Sequence, residues 1–578
     1  MVTKNRVDFF VSALGTTPGP TIRLRENKTT WIRVYNDFPT DNLTMHWHGL
    51  SQSLAPFSDG TPQASQWPIK AQHYFDYEIH PNVGEAGTYF YHSHVGFQAV
   101  SAAGPLIVEE QDGHIPYEYD DERVLFLSEA FNYTDKMVEQ GMSIPVANFK
   151  WPGEAGSILV NGKSYRSLDG EKTVTSKPYN PESAPLPDEP CEPEIIKVKP
   201  NTTYRMRTIG GVALSPLVSG LEEHDNLTVI AADSHYTKPA ETNMIQIGSG
   251  QRYDFILHTK TERELRDIGK SLFWMQIETR YRRQNNTFYA LLSYETDDHS
   301  APKVPDSPPE KRPITIPYSI QDWLEYTLEP IEDNNFPTAD QVTRRVVLTS
   351  AQLQAKSGST YWTINNRTWN ANDQQRKGRS ADMPYLVQIY KDGNRAIPDY
   401  DNAVQNHAGW DPQFNVYPAR IGEVIDIILV NEPNDQSGGF DTHPWHIHGD
   451  HVYDLGSGYG TYDATANEKK LKWHQPVLRD TTFLFKYTAG EDTGAGNAYT
   501  SQGWRAWRLR VANAGVWMVH CHTLQHMING MQSVWVMGNA SEVTRNTSPE
   551  LVTGYLGYGG NAYGNSTSDP LVTHHFSN

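Results

Sequence analysis

The chain carries an internal repeat that relates its beginning to its end. Residues 86–94 (AGTYFYHSH) mirror residues 514–522 (AGVWMVHCH), and a His-x-His-Gly sequence precedes each of them, at residues 46–49 and 446–449. Self-similarity of this kind predicts that the first and last domains are copies of one structural unit. The middle third of the chain contains no such pair of histidines.

Short segments rich in β-branched and aromatic residues predict β-strands throughout the chain. They are separated by Gly, Pro, Asn and Asp, and the clearest cover residues 30–35, 88–91, 346–349, 424–430 and 516–519. Long helical periodicity is scarce. We therefore predict an all-β protein built from sandwiches or barrels.

A length of 578 residues is too great for one hydrophobic core and suits three domains. We predict domains at residues 1–115, 116–300 and 301–578, with a Pro-rich linker at 302–313 opening the third. A second Pro-rich run, 181–193, is interpreted as a surface loop of the middle domain, which also contains a strand-like segment at 252–258. The residues from about Thr547 predict an extended tail.

The composition limits the possible partners. A net charge of −19, a pI of about 5.6 and the absence of basic runs argue against binding to nucleic acid or to an anionic membrane surface. No stretch of about twenty apolar residues occurs, so we expect a soluble protein. Small neutral or cationic partners fit this charge better.

The cysteines and the glycosylation motifs bear on the location of the protein. Only Cys191 and Cys521 are present, and Cys191 has no intrachain partner if Cys521 binds a metal. Ten Asn-x-Ser/Thr sequences favour secretion, and therefore a glycoprotein. Residues 1–4 lack the apolar core of a signal peptide, which is typical of a mature chain with an added start residue.

Ten histidines and one cysteine lie in four short clusters near the two ends of the chain. Nitrogen ligands with a single thiolate and a thioether suit copper better than other common metals. These candidate ligands are His46, His48, His92, His94, His443, His446, His448, His520, Cys521, His522, His526 and Met531.

The alternation of side chains along a strand predicts two different sites around residues 520–522. On a β-strand, His520 and His522 point to one side and Cys521 to the other. The cysteine can therefore bind one copper while its neighbours bind a cluster behind it, with only backbone between. In the first domain Ser93 replaces the cysteine, so His92 and His94 supply cluster ligands without a second cysteine site.

The cysteine site needs further ligands from nearby in the sequence. His526 and Met531 follow Cys521 by five and ten residues, so a turn can return them to the cysteine's side. Two imidazoles, a thiolate and a long axial thioether form a blue-copper electron-transfer site. The second imidazole is predicted to be His443, held apart from the other histidines of its loop by Pro444. The eight remaining histidines then fit a cluster between the homologous domains.

Less specific interpretations of these motifs explain them less well. A single His-x-His on a strand is more often a surface or packed pair than a metal site, but four pairs in duplicated contexts are not explained in this way. A mononuclear zinc site does not need so many histidines together with Cys and Met. A methionine such as Met531 is by itself most often a core residue, but its position relative to Cys521 favours the role of a ligand.

These motifs resemble the signature of the multicopper oxidases, in particular the branch that contains fungal laccases and ascorbate oxidases. The resemblance covers nearly the whole chain. It implies three consecutive cupredoxin-like Greek-key domains and four copper ions: one type 1, one type 2 and two type 3. It also implies that electrons enter singly at the type 1 copper and that dioxygen is reduced to water at the other three.

The resemblance assigns each ligand to a copper. It places His443, Cys521, His526 and axial Met531 at the type 1 site, and His46 and His446 at the type 2 copper. The type 3 pair is implied to be held by His48, His92, His94, His448, His520 and His522. Catalytic roles fall to Cys521 with its neighbours His520 and His522, which join the two sites, and to Asp59.

Asp59 resembles the acidic residue that the family places beside the oxygen-reducing cluster, although an Asp before Gly is also typical of a turn. The chain departs from the family at Asp450, where histidine is frequent, and at Trp67, where many relatives have a disulfide cysteine. Many fungal laccases carry Leu or Phe in place of Met531. A thioether there should lower the type 1 potential.

We expect a secreted, monomeric laccase-like enzyme that oxidises phenols, with ascorbate oxidase or ferroxidase as alternatives. Ascorbate or a similar small reductant is therefore also a candidate partner, with dioxygen as the acceptor. A ferroxidase is suggested by residues 221–225 (LEEHD), but Gly439 stands where such enzymes place an acid. A copper carrier without activity would lack some ligands, and a nitrite-reductase-like protein would not need the second His-x-His repeat. Acidic residues that could contact the reductant are Asp441, Asp435, Glu222, Glu223 and Asp225.

Overall fold

The structure is a computed structural model of the chain. It describes residues 16–131, 154–165, 193–282, 285–296, 302–318, 323–354, 360–369, 383–434, 440–486 and 503–545, a few single residues between these ranges, and the backbone of Val2–Thr3, Arg6–Phe9 and Arg166. Cys191, Asp435 and Gly439 lie outside the described residues, as do almost all of the predicted 181–193 loop and of the tail from Thr547.

The first part of the chain forms two four-stranded sheets. One sheet has the strand order β1-β2-β4-β6 and the other the order β3-β8-β7-β5. Two 3₁₀ helices, Pro56–Ser58 and Gln98–Val100, lie between the strands. Strands β1 to β8 are Val2–Thr3, Arg6–Phe9, Ile22–Arg25, Thr30–Tyr35, His46–His48, Tyr74–Ile79, Gly87–His92 and Ala103–Glu109.

The middle part forms two larger sheets, with the order β10-β9-β13-β18-β15-β16 in one and β11-β20-β19-β14-β17 in the other, where β12 also pairs with β20. Helix α1, Glu262–Ile268, begins with a complete capping box at Thr261 and Glu264. Strands β9 to β20 are Asp121–Ala130, Ser157–Val160, Tyr165–Arg166, Ile195–Val198, Thr203–Gly211, Leu217–Leu221, Leu227–Ala232, His235–Thr242, Ile245–Ile247, Arg252–His258, Leu272–Thr279 and Thr287–Tyr294.

The last part repeats the two-sheet plan, with the orders β22-β21-β24-β29-β26-β27 and β23-β31-β30-β25-β28. Strands β21 to β31 are Arg344–Gln354, Thr360–Ile364, Tyr417–Ala419, Val424–Asn431, His443–Ile447, Val452–Tyr459, Leu478–Arg479, Thr481–Leu484, Gly503–Arg510, Gly515–Cys521 and Gln532–Met537. Helices α2 to α6 are Tyr385–Asp392, Tyr400–Asn406, Ala464–Leu471, Leu524–Ile528 and Ala540–Thr544, with 3₁₀ helices at Ala339–Gln341 and Gly393–Ala396.

The prediction of an all-β chain is confirmed. Strands β4 and β18 have the predicted limits, and the other predicted segments lie within β7, β21, β24 and β30. The described part of the 302–313 linker contains neither helix nor strand. The predicted domain boundaries stay a prediction. In the described part of the chain, no helix combines the length and the apolar character needed to cross a bilayer.

The internal repeat is visible in the strand pairing. In the first domain β5 runs antiparallel to β7 with His46 opposite His92, and in the last domain β25 runs antiparallel to β30 with His446 opposite His520. The two pairs of His-x-His segments therefore occupy equivalent places in two equivalent sheets.

Hydrophobic packing joins the first domain to the last. Trp47 and Tyr77 of the first domain share one buried cluster with Val516, Met518 and Val534 of the last. The middle domain has a core of its own, and a third core surrounds Cys521. Since burial of each large apolar side chain contributes roughly 1.5–3 kcal/mol, the shared cluster holds the histidine-bearing sheets against each other.

Candidate metal centres

The thiol of Cys521 lies beside two imidazoles. Its Sγ is 3.7 Å from Nδ1 of His443 and 3.5 Å from Nδ1 of His526, and the two Nδ1 atoms are 3.1 Å apart. All three side chains are buried. Three donor atoms that converge in this way are a trigonal ligand set of the kind that binds copper.

Backbone hydrogen bonds bring the segment after β30 back to the cysteine. The amide of Cys521 donates to the carbonyl of Met531, and the amide of Met531 donates to the carbonyl of His526. Met531 is fully buried in the core that contains Cys521. These bonds place Met531 next to the candidate site, while its role as the axial ligand stays a prediction.

Pro444 does not separate His443 from the other histidines in the predicted way. Residues His443–Ile447 form one continuous strand in which Pro444 is paired with Phe483. Alternation along this strand turns residue 443 to one face and residue 446 to the other, so strand geometry makes the separation. The carbonyl of Pro444 accepts a hydrogen bond from the amide of His522, which fixes β25 beside the end of β30.

Two side chains complete the surroundings of His526. The indole of Trp362 stacks on the imidazole with ring centroids 3.7 Å apart, and Asp441 Oδ2 lies 3.5 Å from His526 Nε2. Burial opposes ionisation of Asp441, but the hydrogen bond and charge of His526 hold its pKa well below the usual range. Asp441 was among the sequence candidates. Trp362 was not, since nothing in its local sequence distinguishes it from an ordinary strand residue.

The eight other histidines of the predicted set converge between the first and last domains. All are buried. They form three groups whose donor atoms lie within 4.8 Å of one another: His46, His48 and His446; His48, His92 and His522; and His94, His448 and His520. Strands β7 and β30 end at residues 92 and 521, so His94 and His522 lie just beyond the strands that the alternation argument assumed.

Hydrogen bonds from Nδ1 fix which nitrogen of each ring faces the centre. The Nδ1 atoms of His46, His92, His446 and His520 lie 2.6–3.0 Å from backbone carbonyl oxygens, to which they must donate. The Nε2 atoms are then unprotonated acceptors. Because carbonyls hold each ring in one tautomer, the lone pairs are aimed inward before any metal binds.

The Nε2 atoms that face the centre have no protons with which to hydrogen-bond to one another. Nε2 of His446 is 3.4 Å from Nε2 of His46, and Nε2 of His448 is 3.2 Å from Nε2 of His520. Nε2 of His92 and of His94 are buried without a hydrogen-bond partner among the described residues. A buried unsatisfied acceptor costs about 1–3 kcal/mol, so the arrangement fits bound cations.

Burial also keeps these rings neutral. It lowers the pKa values of His48, His92, His94, His520 and His522 well below the usual range, helped by the neighbouring imidazoles, and lowers those of His443 and His448 to about 3. Neutral imidazole is the form that binds a metal. Burial raises the pKa of Cys521, so its thiolate needs a metal to form at neutral pH.

Asp59 lies in a turn and also beside the histidine cluster, while its catalytic role stays a prediction. It follows the Pro56–Ser58 helix in a turn before Gly60, where φ is +84°, and its carboxylate also lies 3.0 Å from Nδ1 of His448. Burial opposes its ionisation, but His448 and His46 hold its pKa well below the usual range. The carboxylate therefore directs Nε2 of His448 inward and places a buried negative charge beside the cluster.

Asp480 is a second buried carboxylate at the cluster, and it was missed by the sequence analysis. Its Oδ1 lies 3.2 Å from Nε2 of His48 and 3.4 Å from Nδ1 of His446, and Arg252 of the middle domain binds both of its oxygens at 2.6 Å. Because Nε2 of His48 faces Asp480, its other nitrogen faces the centre, 3.2 Å from Nε2 of His522. An acid before a short strand carries no motif that could have revealed this role.

The middle-domain acids suggested by the sequence are engaged elsewhere or exposed. Glu222 forms an ion pair with Lys270 at 2.6 Å and accepts a hydrogen bond from the amide of Trp274. Glu223 and Asp225 are exposed. Of the described candidate acids, Asp441 alone has a contact with an imidazole of the cysteine site.

The chain matches known proteins over almost its whole length. Three family models described as multicopper oxidase match residues 5–113, 121–297 and 379–541. The chain is 59% identical to the multicopper oxidase terE of Aspergillus terreus, over 92% of this chain and 98% of that protein. It is 42% identical to laccase-like multicopper oxidase 1 of Thermothelomyces thermophilus, over 99% and 90%. The L-ascorbate oxidase of Cucumis sativus is more distant, at 31% over 91% and 85%.

The fold also has relatives of known structure. The crystal structure of the laccase from Botrytis aclada superposes with a TM-score of 0.66 at 20% identity, over 92% of this chain and 84% of that one. This likeness confirms the three-domain cupredoxin-like fold. Together with the buried histidine clusters, which fit copper, these matches lead to one conclusion: the chain belongs to the multicopper oxidase family of copper-dependent oxidoreductases that use dioxygen as acceptor.

Proposed function

We propose that the protein is a laccase-like enzyme that binds four copper ions, oxidises phenols one electron at a time and reduces dioxygen to water. The observation that carries this proposal is the shared segment 520–522. Cys521 faces His443 and His526, while His520 faces His448 and His522 faces His48. One continuous backbone thus connects a single-metal site to a larger cluster.

Each part of the site has a distinct task in this proposal. Copper, when bound, supplies one-electron acceptance at the cysteine site and multi-electron reduction of dioxygen at the histidine cluster. The adjacent peptide units of residues 520–522 provide the shortest covalent path between the two. Asp59 accepts a hydrogen bond from Nδ1 of His448 and so keeps the proton on that nitrogen, while the carboxylate of Asp480 lies 3.2 Å from Nε2 of His48. Burial excludes bulk water from the eight histidines.

The surroundings of His526 support a phenolic reductant. Asp441 is anionic and stands 3.5 Å from His526 Nε2, so it can accept a hydrogen bond from a phenol hydroxyl and hold the phenol beside the imidazole through which the electron leaves. The same charge repels ascorbate, which is an anion at neutral pH. Binding Fe(II) favours several oxygen ligands, and among the described candidate acids Asp441 alone touches this site while Glu222 is paired with Lys270. The phenol oxidase is therefore proposed ahead of ascorbate oxidase and ferroxidase.

We propose further that the enzyme is secreted, glycosylated and monomeric. Ten glycosylation sequences occur in the chain, and the asparagines at 27, 42, 201, 226, 366 and 539 are exposed, which an oligosaccharide requires. Mass spectrometry of the protein from its natural source, before and after deglycosylation, tests whether it is glycosylated.

Replacing Cys521 with Ser tests the cysteine site. The variant should lose its blue absorption and its turnover, because the thiolate that produces the colour is gone, while copper bound by the eight histidines is retained. Absorption spectroscopy with metal analysis measures both. Blue colour that survives the substitution would contradict the assignment.

The Met531→Leu variant tests axial ligation. It should remain blue and show a higher reduction potential at the cysteine site, because a thioether donor stabilises the oxidised copper. Redox titration of the blue band measures the potential. An unchanged or lower potential would remove Met531 from the axial position.

The Asp59→Asn variant tests whether Asp59 acts in the reduction of dioxygen and not in the oxidation of the substrate. Reoxidation of the reduced enzyme by dioxygen should slow by about 10- to 100-fold, as for other residues that hold metal ligands, with little effect on reduction by substrate. Stopped-flow kinetics resolves both steps. The control is Asp76→Asn, since Asp76 is bonded to Arg33 in the same domain. Equal slowing of the two steps would contradict a role at the cluster.

Asp441→Asn tests the reductant class. Loss of the charge-assisted hydrogen bond should lower kcat/KM for a methoxyphenol by about 10- to 100-fold and should not lower it for ascorbate. Asp225→Asn, at an exposed acid of the middle domain, is the control. A wild-type preference for ascorbate or Fe(II) over the methoxyphenol would overturn the proposed substrate class.

A further inference from the structure

We propose that one turn of the middle domain, residues 248–252, positions the histidines of the oxygen-reducing cluster. This domain has no copper ligand of its own in the assignment above, and the inference rests on the proposed function. The turn joins β17 to β18 and is closed by a hydrogen bond from the amide of Gln251 to the carbonyl of Gly248. We call it the 248–252 turn.

Ser249 controls the tautomer of His522. Its hydroxyl lies 2.8 Å from Nδ1 of His522 and also hydrogen-bonds to the carbonyl of Val212. Since the hydroxyl has one proton, and a carbonyl can only accept, Nδ1 of His522 donates to Ser249 Oγ. Nε2 of His522 is then free of a proton and faces Nδ1 of His48 at 3.2 Å.

Gly250 allows the turn to touch the cluster. Its φ of +85° is in the left-handed region, and a Cβ at this position would lie 2.8 Å from Cε1 of His48 and 3.2 Å from Cδ2 of His522. The backbone of the turn therefore packs directly on two of the imidazoles, one from the first domain and one from the last.

Arg252 acts on the cluster through Asp480. The two side chains are fully buried and form a bidentate ion pair, and Asp480 in turn faces His48 and His446. Nε of Arg252 also donates to the carbonyl of Thr88 in the first domain. One guanidinium thus connects all three domains beside the cluster.

A second ion pair holds the same junction. Asp233 of the middle domain accepts hydrogen bonds from the Arg252 amide, from Nε of Arg479 and from the hydroxyl of Thr481. Arg479 and Thr481 flank Asp480, so the carboxylate that faces the imidazoles is fixed from both sides. Ser249 and Arg252 are therefore positioning residues, since neither touches a reacting atom.

Ser249→Ala is the primary test, with Ser249→Thr as the variant that keeps the hydroxyl. The matched control is Ser219→Ala, a buried serine on β14 of the same domain. Each protein is loaded with copper and dialysed against a graded series of chelator concentrations. Three quantities are then measured: the copper content per chain, the electron paramagnetic resonance of the type 2 (non-blue) copper and the blue absorption.

Ser249→Ala should lose cluster copper at about 10- to 100-fold lower chelator concentration than the wild type, with altered resonance of the non-blue copper and unchanged blue absorption. Ser249→Thr and Ser219→Ala should behave as the wild type. A loss of blue and cluster copper together, or retention equal to that of Ser219→Ala, would overturn the inference while leaving the proposed function intact.

Arg252→Lys provides an independent measurement, because Lys keeps the charge but cannot bind both carboxylate oxygens. Its control is Arg205→Lys, at a buried arginine bonded to Asp254 in the same domain. Selective loss of cluster copper in Arg252→Lys supports the inference, and equal behaviour of the two variants contradicts it. A wild-type chain that binds no cluster copper would instead overturn the proposed function.

Discussion

The central constraint in this molecule is the convergence of unprotonated imidazole nitrogens in a buried space. Backbone carbonyls, and the Asp59 carboxylate in the case of His448, accept hydrogen bonds from the Nδ1 atoms, which leaves the lone pairs of the Nε2 atoms facing each other at 3.2–3.4 Å. Neutral acceptors at that distance repel unless a cation lies between them. Folding therefore builds a site whose unfavourable electrostatics are relieved by metal binding, so copper should stabilise the junction of the domains as well as act in the reaction.

Strand geometry places the two candidate metal sites on opposite faces of the same backbone segments. Alternation along β30 sends Cys521 to one side and His520 to the other, and β25 repeats the arrangement with His443 and His446. Two paired strands thus serve both sites. The first domain supplies four more histidines, His46, His48, His92 and His94, on or just beyond an equivalent pair of strands, with Ser93 in place of the cysteine. The middle domain contributes Arg252, which joins the first domain to the last through the carbonyl of Thr88 and the carboxylate of Asp480.

Much of this arrangement follows from the sequence, because strand periodicity and the duplicated motif are local signals. Six of the strands, the convergence of eight histidines between the first and last domains and the place of Cys521 are predicted from local patterns and the repeat, while the assignment of each histidine to a copper comes from the family resemblance. Contacts between distant segments are not: Asp480, Trp362 and Ser249 have no local signature, and their roles depend on how three domains pack. The prediction about Pro444 failed for a different reason. Its expected effect on strand pairing was wrong, because it occupies a strand position where the alternation already separates the ligands.

The most direct test of the account is a crystal structure of the copper-loaded protein, with anomalous scattering recorded at the copper absorption edge. The account predicts four copper positions in each chain: one against Cys521, His443 and His526, and three among the eight histidines, with His520 and His522 bound to metal on the opposite side of β30. Fewer than four copper positions, or imidazoles of His520 and His522 that contact no metal, would contradict the account.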